Sequence, residues 1–234
     1  MRIITLSAPF YDKFSRNSRS PAVSKGGCVY YPIWLGYATG ALEQAGHEVK
    51  LIDAPSAKQS IEEVEKIVKE FQPKMIVIDT STASIVNDVR VLNRLKDIHG
   101  DCFYVLVGVH ASAVPDETLK MSQKIDACTL KEYDLTLVEL AKKMENNENI
   151  SDTLGLALRN KKTGEIIKNP ERTMMTGEEL DELPFVSEVY SRNLRIEDYF
   201  YPSVLYPEVT IVTGRGCPFK CTYCMWPQNL TGQT

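Results

Sequence analysis

The chain has 234 residues, of which 43% are hydrophobic and 25% are charged, and its formal net charge is −4. This composition is typical of a soluble globular protein, and the lack of a basic excess argues against a nucleic-acid partner. No apolar run approaches the roughly 18 residues of a membrane span, and the N-terminus does not resemble a signal peptide. A cytoplasmic protein is therefore expected.

Short strands and helices alternate over the first 145 residues. Continuous apolar runs predict strands, and apolar residues at helical spacing predict the helices between them. The predicted strands are 3–7, 49–52, 75–78, 103–107 and 127–129, and the predicted helices lie near 34–45, 61–71, 85–95, 116–123 and 135–144. Uninterrupted apolar strands are typical of a parallel sheet covered on both faces. We therefore predict an α/β fold for 1–145, a Rossmann-like, doubly wound, five-stranded parallel sheet.

A polar run at 146–149 marks the predicted boundary of this domain. Beyond it, two short apolar runs, 154–158 and 165–167, flank a Gly-containing turn and predict a small hairpin. Residues 169–207 are rich in Pro, Glu and Tyr, so 146–207 is predicted to be hairpin and linker. A strand at 209–213 then opens a last segment, 208–234.

Three of the six cysteines lie close together, at Cys217, Cys221 and Cys224. Without a secretion signal, such crowding favours metal binding or redox chemistry over disulfides. Three thiolates on one loop can hold three irons of a [4Fe–4S] cluster and leave the fourth iron open to a chelating ligand. A zinc site is the alternative, with a fourth ligand from His110 or Cys28.

The run from Gly216 to Cys224, GCPFKCTYC, resembles the CxxxCxxC cluster loop of the radical S-adenosylmethionine (SAM) superfamily. The resemblance implies that the three cysteines hold the cluster and that its open iron binds the amino and carboxylate groups of SAM. It also implies that Tyr223 lies against the adenine through its backbone, which is compatible with a core position for its ring. Reduction of the cluster, by a donor such as flavodoxin or ferredoxin, would cleave SAM to a 5′-deoxyadenosyl radical.

The upstream sequence resembles the cobalamin (B12)-binding domain that precedes the barrel in one radical SAM subfamily. Segments 31–38, 45–49, 107–115 and 180–185 carry this resemblance by their order. Open α/β sheets bind ligands at the carboxyl ends of their strands. The resemblance therefore implies cobalamin contacts from Thr80, Ser81, Thr82, Ser84, Gly108, Val109 and His110.

Parts of this predicted site have alternative explanations. Ser84 could instead cap the third helix, and a lone histidine such as His110 is often structural. Val109 stands where a second glycine is expected. The Asp-x-His-x-x-Gly motif is absent after strand one, so no histidine from that loop is expected on the lower face of cobalamin.

Two other nucleotide- or phosphate-handling folds share the alternation of strands and helices. A receiver domain needs acids after strand one and a lysine after strand five, and Asp12 and Lys131 fit that pattern only loosely. A dinucleotide-binding domain needs Gly-x-Gly-x-x-Gly after strand one, and the sequence there is Ser-Ala-Pro-Phe. The loop 10–31, with Arg16, Arg19 and Lys25, is expected to be solvated, with a cover over the cofactor or a substrate contact as the alternative.

Ten residues follow Cys224, whereas a radical SAM barrel needs on the order of 150 more. The chain is therefore expected to be the N-terminal part of a cobalamin-dependent radical SAM enzyme, truncated and inactive alone, in which 1–145 folds independently. Methyl transfer to an unknown small-molecule substrate is the expected reaction, with ring rearrangement or cyclisation as related outcomes. The alternative is a non-catalytic cobalamin-binding module.

Overall fold

The computed structural model describes residues 1–17, 27–160, 163–217, 219 and 221–224. Seven strands in this part of the chain form a single sheet in the order β2-β1-β3-β4-β5-β6-β7. They are β1 (Arg2–Ser7), β2 (Glu48–Asp53), β3 (Met75–Thr80), β4 (Phe103–Gly108), β5 (Ala127–Thr129), β6 (Leu156–Arg159) and β7 (Ile166–Lys168). Strands β1 to β5 are parallel, which confirms the predicted five-stranded parallel sheet.

Helices cover both faces of the sheet, as predicted. They are α1 (Ile33–Gln44), α2 (Ile61–Phe71), α3 (Ile85–Ile98), α4 (Val109–Ala113), α5 (Pro115–Lys120), α6 (Asp134–Glu145), α7 (Gly177–Asp181) and α8 (Val186–Asn193). Ile76 and Ile78 of β3 pack with α2 and α3, whereas Met75 and Val77 pack with α1 and α6. Side chains alternate between the two faces of a strand, so this continuous apolar strand contributes to two cores. None of the helices in the described ranges is long and apolar enough to cross a bilayer.

The predicted hairpin is formed by β6 and β7, and it continues the same sheet. β6 pairs antiparallel with β5, with Cys128 opposite Ala157. Pairing covers an edge of β5 that would otherwise present unpaired backbone groups. Two of the predicted turn residues, 161 and 162, lie outside the described residues.

The segment expected to be linker, 169–207, contains the helices α7 and α8 and a short 3-10 helix (Ile196–Asp198). Helix α8 has the apolar spacing Val186, Val189 and Tyr190, and it packs on α1, where Gly36 and Gly40 leave room for it. A Cβ at Gly36 would lie 2.8 Å from Cε1 of Tyr190, so the close approach of the two helices requires glycine there. Burial of this stripe accounts for helix formation in a segment whose local sequence is dominated by Pro and Glu.

Residues 209–213, expected to form a strand, have no strand partner within the described part of the chain. A strand is stabilised by hydrogen bonds to a neighbour, and here the backbone carbonyls are instead bonded by side chains of the sheet domain. The Tyr31 hydroxyl donates to the Glu208 carbonyl at 2.8 Å, and the Tyr37 hydroxyl donates to the Val212 carbonyl at 2.9 Å. The segment from 208 to 224, which we name the cysteine segment, thus begins along α1.

Candidate functional site

The parallel strands end together at one edge of the sheet, which we name the carboxyl edge. The last residues of β1, β2, β3, β4 and β5 there are Ser7, Asp53, Thr80, Gly108 and Thr129, and all five are buried. Polar side chains at buried strand ends need hydrogen-bond partners. The partners come largely from residues distant in sequence.

Arg16 supplies the positive charge at the carboxyl edge. Its Nη1 donates to Ser7 Oγ at 2.9 Å, its Nη2 donates to the Ala8 carbonyl at 2.9 Å, and Nη2 also pairs with the Asp88 carboxylate. The side chains of Arg16 and Asp88 are 1% and 0% exposed. The expectation that this arginine belongs to a solvated loop is therefore wrong, because the ion pair and the strand end bury it. Arg19 and Lys25 lie outside the described residues.

The charge of Arg16 acts on three buried carboxyl groups, of which Asp88 pairs with it directly. Burial raises the pKa of Asp53, Asp79 and Asp88, while the charge of Arg16 acts in the opposite direction on each of them. For Asp79 the outcome is a pKa of about 7, with the neighbouring carboxylates Asp88 and Asp53 adding to the rise. The carboxyl edge therefore changes charge near neutral pH.

Four of the seven residues predicted to bind cobalamin are buried within the protein: Thr80, Ser81, Ser84 and Gly108. Thr80 donates its hydroxyl to the Val107 carbonyl at 2.7 Å, and the Ser81 and Ser84 hydroxyls lie 2.9 Å apart. Ser84 also donates to Asp88 at 2.6 Å. Ser84 does occupy the N-cap position of α3, but its side chain makes no capping hydrogen bond. The two serine hydroxyls thus connect the end of β3 to Asp88 and Arg16, whereas the Thr80 hydroxyl joins β3 to β4.

The other predicted residues are accessible. Thr82 is exposed, while Val109 and His110 are partly exposed on the next loop. The ring Nδ1 of His110 lies 3.2 Å from Thr82 Oγ1, so the structure brings these two predicted residues together. Burial lowers the pKa of His110 in spite of nearby Asp88 and Glu117. A neutral imidazole and a hydroxyl thus face outward together at the carboxyl edge.

Glycine is required at position 108 because β3 passes very close to it. Its φ is +95°, a conformation that favours glycine. A Cβ there would collide with the Asp79 carboxylate and would lie 2.6 Å from the Thr80 carbonyl oxygen. The close backbone approach expected at this glycine is therefore made by β3 itself.

A stack of tyrosines closes the other end of the carboxyl edge. The ring of Tyr31 stacks on Tyr199 at 3.9 Å and on Tyr190 at 4.4 Å between centroids. The Tyr199 hydroxyl donates to Asp53 Oδ2 at 2.9 Å and lies 3.0 Å from Ser56 Oγ. Sequence analysis missed this group, because Tyr31 and Tyr199 are brought together by contacts distant in sequence, namely the packing of α8 and an antiparallel bridge between Val29 and Phe200.

The three predicted metal ligands lie on an irregular loop. Cys217, Cys221 and Cys224 are partly exposed free thiols, and the Cys224 amide donates to the Cys221 carbonyl at 3.1 Å. Tyr223 is 90% exposed, so it is not a core aromatic here. Among the described residues, no three side chains of metal-binding type are gathered around one point. As a donor set, three accessible thiols on one loop have the chemistry that an iron–sulfur cluster requires.

Arg215, two residues before the first of these cysteines, is inserted between α1 and α6. Its Nη1 lies 2.8 Å from Asp134 Oδ2, its Nη2 lies 3.3 Å from Asp134 Oδ1, and Glu132 Oε1 is 3.7 Å from Nη1. The guanidinium also lies over the rings of Trp34 and Tyr37, at 5.3 Å and 4.9 Å from their centroids. Its side chain is 4% exposed. Sequence analysis missed this residue, since nothing in Gly-Arg-Gly indicates burial.

Comparison with known proteins identifies the family of this chain and several of its relatives. Residues 19–141, more than half of the chain, match a family model described as the B12 binding domain. An uncharacterized methyltransferase of Pyrococcus horikoshii is 29% identical over 193 residues, which cover 82% of this chain and 40% of the relative. The chain spans 31% to 45% of the length of the curated relatives that it matches.

Solved structures share the fold. The cobalamin-dependent S-adenosylmethionine radical enzyme OxsB, with aqua-cobalamin and S-adenosylmethionine bound, gives a TM-score of 0.62 at 16% identity, over 80% of this chain and 25% of that one. The radical S-adenosylmethionine methyltransferase TsrM of Kitasatospora setae, with cobalamin and a [4Fe–4S] cluster bound, gives 0.61 at 15% identity. In that case 99% of this chain and 42% of the other are covered.

Proposed function

The chain belongs to the B12 binding domain family, and from that premise we propose that it is part of a cobalamin-dependent radical SAM enzyme that transfers a methyl group. One observation carries the proposal. Three free and partly exposed thiols, at Cys217, Cys221 and Cys224, stand on a segment that side chains of the B12 binding domain hold in place.

The cysteine loop is the proposed holder of a [4Fe–4S] cluster. Thiolates are the usual protein ligands of such clusters, and three of them leave one iron free. When bound, the cluster supplies an open iron for SAM and an electron for its cleavage, and cobalamin supplies a carrier for the methyl group. Tyr223, which is 90% exposed, is the proposed contact for the adenine of SAM, through its backbone.

Cobalamin is proposed to lie on the accessible part of the carboxyl edge. Thr82, Val109 and His110 would contact it directly, because they are exposed or partly exposed there. The buried residues would not touch cobalamin but would fix the loops that carry the contact residues. They are Thr80, Ser81, Ser84 and Gly108. With its lowered pKa, the imidazole of His110 is neutral near pH 7 and can both donate and accept a hydrogen bond.

The reaction partners are proposed at the level of chemical class. They are a small-molecule substrate and an electron donor of the flavodoxin or ferredoxin type. Methyl transfer is proposed first because the relative at 29% identity is named a methyltransferase. Cyclisation is the second outcome, since relatives at 24% and 26% identity are named anaerobic magnesium-protoporphyrin IX monomethyl ester cyclases.

A second candidate is a cobalamin-binding module without turnover. It is favoured by the extent of the family match, which covers residues 19–141 and does not include the cysteine segment. Both candidates require cobalamin, and they differ in the chemistry of the cysteine loop.

Anaerobic loading separates the candidates. The chain is incubated with iron, sulfide and cobalamin and desalted, and then its metal content, its corrinoid absorption and its production of 5′-deoxyadenosine from SAM are measured. A triple Cys217→Ala, Cys221→Ala, Cys224→Ala variant should lose iron and sulfide but keep corrinoid, while Cys102→Ala, a remote buried thiol, should keep both. Iron and corrinoid without 5′-deoxyadenosine favour the module. Stoichiometric zinc at the same thiols, or no retained corrinoid, would overturn the proposal.

The proposed cobalamin surface has its own test. Thr82→Trp places a large ring on the accessible loop and should weaken cobalamin retention at least about tenfold. Lys74→Trp adds the same ring at an exposed position where β3 begins, on the opposite edge of the sheet, and should leave retention unchanged. Equal retention by both variants would place cobalamin elsewhere.

A further inference from the structure

Besides the hydrogen bonds from the Tyr31 and Tyr37 hydroxyls, the cysteine segment is held on the sheet domain by a buried ion pair. Arg215 has a side chain that is 4% exposed, and its main partner Asp134 is 5% exposed. The two guanidinium nitrogens approach the two oxygens of this carboxylate at 2.8 and 3.3 Å. Bidentate pairing of this kind fixes the direction of the arginine as well as its position.

The receptor for Arg215 is made by two helices on one face of the sheet. Trp34 and Tyr37 are three residues apart on α1, so both rings lie on the same side of that helix. Asp134 is the first residue of α6. The arginine therefore enters between helices that the sheet core already fixes, with aromatic rings on one side and a carboxylate on the other.

The contact lies close to the cysteines along the chain. Cys217 is two residues beyond Arg215, so their Cα atoms are within about 7 Å of each other. Before Arg215, the Tyr37 hydroxyl holds the Val212 carbonyl at 2.9 Å. The start of the cysteine loop thus has its place set by α1 and α6, the same helices that cover the B12 binding sheet.

We infer that Arg215 is a positioning residue that docks the cysteine loop onto the B12 binding domain through Asp134, Trp34 and Tyr37. The docking itself requires no cofactor. Its consequence rests on the proposed function: Arg215 sets the separation between a cluster on the loop and cobalamin at the carboxyl edge. A lysine would not replace it, because an ammonium group can neither pair bidentately nor stack on the rings in the same way.

The docking is tested on the chain itself by trypsin, which cuts after arginine and lysine. In the wild type, the Arg215–Gly216 bond should resist cleavage because the guanidinium is buried. Asp134→Asn should speed cleavage of this bond about tenfold or more, since it removes a charged hydrogen-bond partner. Arg215→Lys should speed cleavage after position 215 to a similar extent, and Asp134→Glu should restore part of the resistance.

The control uses an exposed arginine pair. Arg192 pairs with Glu43 at 2.6 Å and has a side chain that is 51% exposed. Glu43→Gln should change cleavage after Arg192 by less than about twofold. Faster cleavage after 215 in Asp134→Asn, with an unchanged unfolding midpoint, supports docking. No acceleration, or an equal acceleration at all sites, overturns it.

A spectroscopic measurement tests the consequence. With the chain loaded with cluster and cobalamin, the magnetic coupling between the reduced cluster and cob(II)alamin reports their separation. The coupling should be well defined in the wild type and weakened or broadened in Arg215→Lys. The same coupling in both proteins would overturn the positioning role. Failure to load either group would instead overturn the proposed function, and the trypsin result would still decide the docking.

Discussion

The carboxyl edge and the cysteine segment are each completed by one buried arginine, yet the two regions are built in opposite ways. At the carboxyl edge, Arg16 meets strand ends that the sheet already fixes, and its carboxylate partner Asp88 is fully buried. In the cysteine segment, Arg215 is the buried end of a stretch without strand pairing in the described chain. Arg16 therefore completes the packing of a core, whereas Arg215 attaches an irregular segment to one.

Loss of the arginine at the carboxyl edge should have the largest effect on stability. Arg16→Met leaves Asp88 buried without its counter-charge, and breaking a buried pair in this way costs about 3–5 kcal/mol. We expect the free energy of unfolding, measured by urea titration at pH 7.5, to fall by that amount.

The matched control removes an arginine whose ion pairs are exposed. Arg94 on α3 pairs with Glu62 and Glu65 of α2, and its side chain is 46% exposed. Arg94→Met should cost less than about 1 kcal/mol. If the two variants lost the same stability, the carboxyl edge would not be the closed core that the burial of Arg16 indicates.

A smaller loss of stability is expected from Gly108→Ala, which tests how closely β3 and β4 approach each other at the carboxyl edge. The added Cβ meets the Asp79 carboxylate and the Thr80 carbonyl in a backbone with positive φ. Strain and overpacking together should lower the free energy of unfolding by about 2–4 kcal/mol.

Gly46 offers a control for the backbone alone. Its φ is +89°, and nothing lies within 4 Å of a Cβ built there. Gly46→Ala should therefore cost only the strain of positive φ, about 1 kcal/mol. The difference between the two glycine variants measures the collision, and a difference of zero would mean that the collision costs nothing.

The location of the carboxyl edge could be predicted from the sequence, but its chemistry could not. Continuous apolar strands separated by helices require a parallel sheet, and parallel strands end at one edge, so Thr80 and Gly108 were placed correctly. The burial of Arg16 and the pairing of Tyr199 with Asp53 depend on contacts 72 and 146 residues apart. Local spacing carries no signal for such contacts.

The cysteine segment gives the reverse result. Its donor atoms can be read from the sequence, because three thiols at short spacing define a donor set locally, and the cluster that they would hold stays a prediction. Its attachment could not be predicted, because the Arg215–Asp134 pair spans 81 residues. The helix α8 was missed for a similar reason: its apolar stripe is short, and glycines far upstream on α1 provide the surface that buries it.

Asp79→Asn should change stability in a pH-dependent way. In the unfolded chain the carboxyl has its ordinary pKa of 3.8, and in the folded chain burial raises the pKa to about 7. Between these values the folded state binds a proton that the unfolded state has lost, so stability falls as the pH rises from 4 to 7. The neighbouring groups are Arg16, which favours ionisation, and Asp53 and Asp88, which oppose it.

An asparagine carries no charge, so the variant should gain stability over the wild type at pH 8 and lose the gain near pH 4. One pKa unit corresponds to about 1.4 kcal/mol, so the shift sets a ceiling of about 4 kcal/mol, and we expect about 1–3. Thermal unfolding at both pH values measures the gain. Asp101→Asn, at an exposed site, should show no such difference. A gain that is equal at both pH values would contradict the expected loss of stability with rising pH.

The smallest effect is expected from Tyr37→Phe, which weakens the attachment of the cysteine segment to α1 and leaves the core of the sheet domain unchanged. The substitution removes the hydroxyl that donates to the Val212 carbonyl at 2.9 Å but keeps the ring beneath Arg215. One hydrogen bond contributes about 0.5–1.5 kcal/mol, so tryptic cleavage after Arg215 should rise by about 2- to 10-fold while the unfolding midpoint of the sheet domain stays nearly constant. Tyr206→Phe is the control, since its hydroxyl bonds to the Glu197 carbonyl and does not reach α1. A loss of global stability in Tyr37→Phe as large as that in Arg16→Met would contradict this expectation. The attachment of the cysteine segment would then belong to the same closed core as Arg16, and the contrast between the two regions would no longer hold.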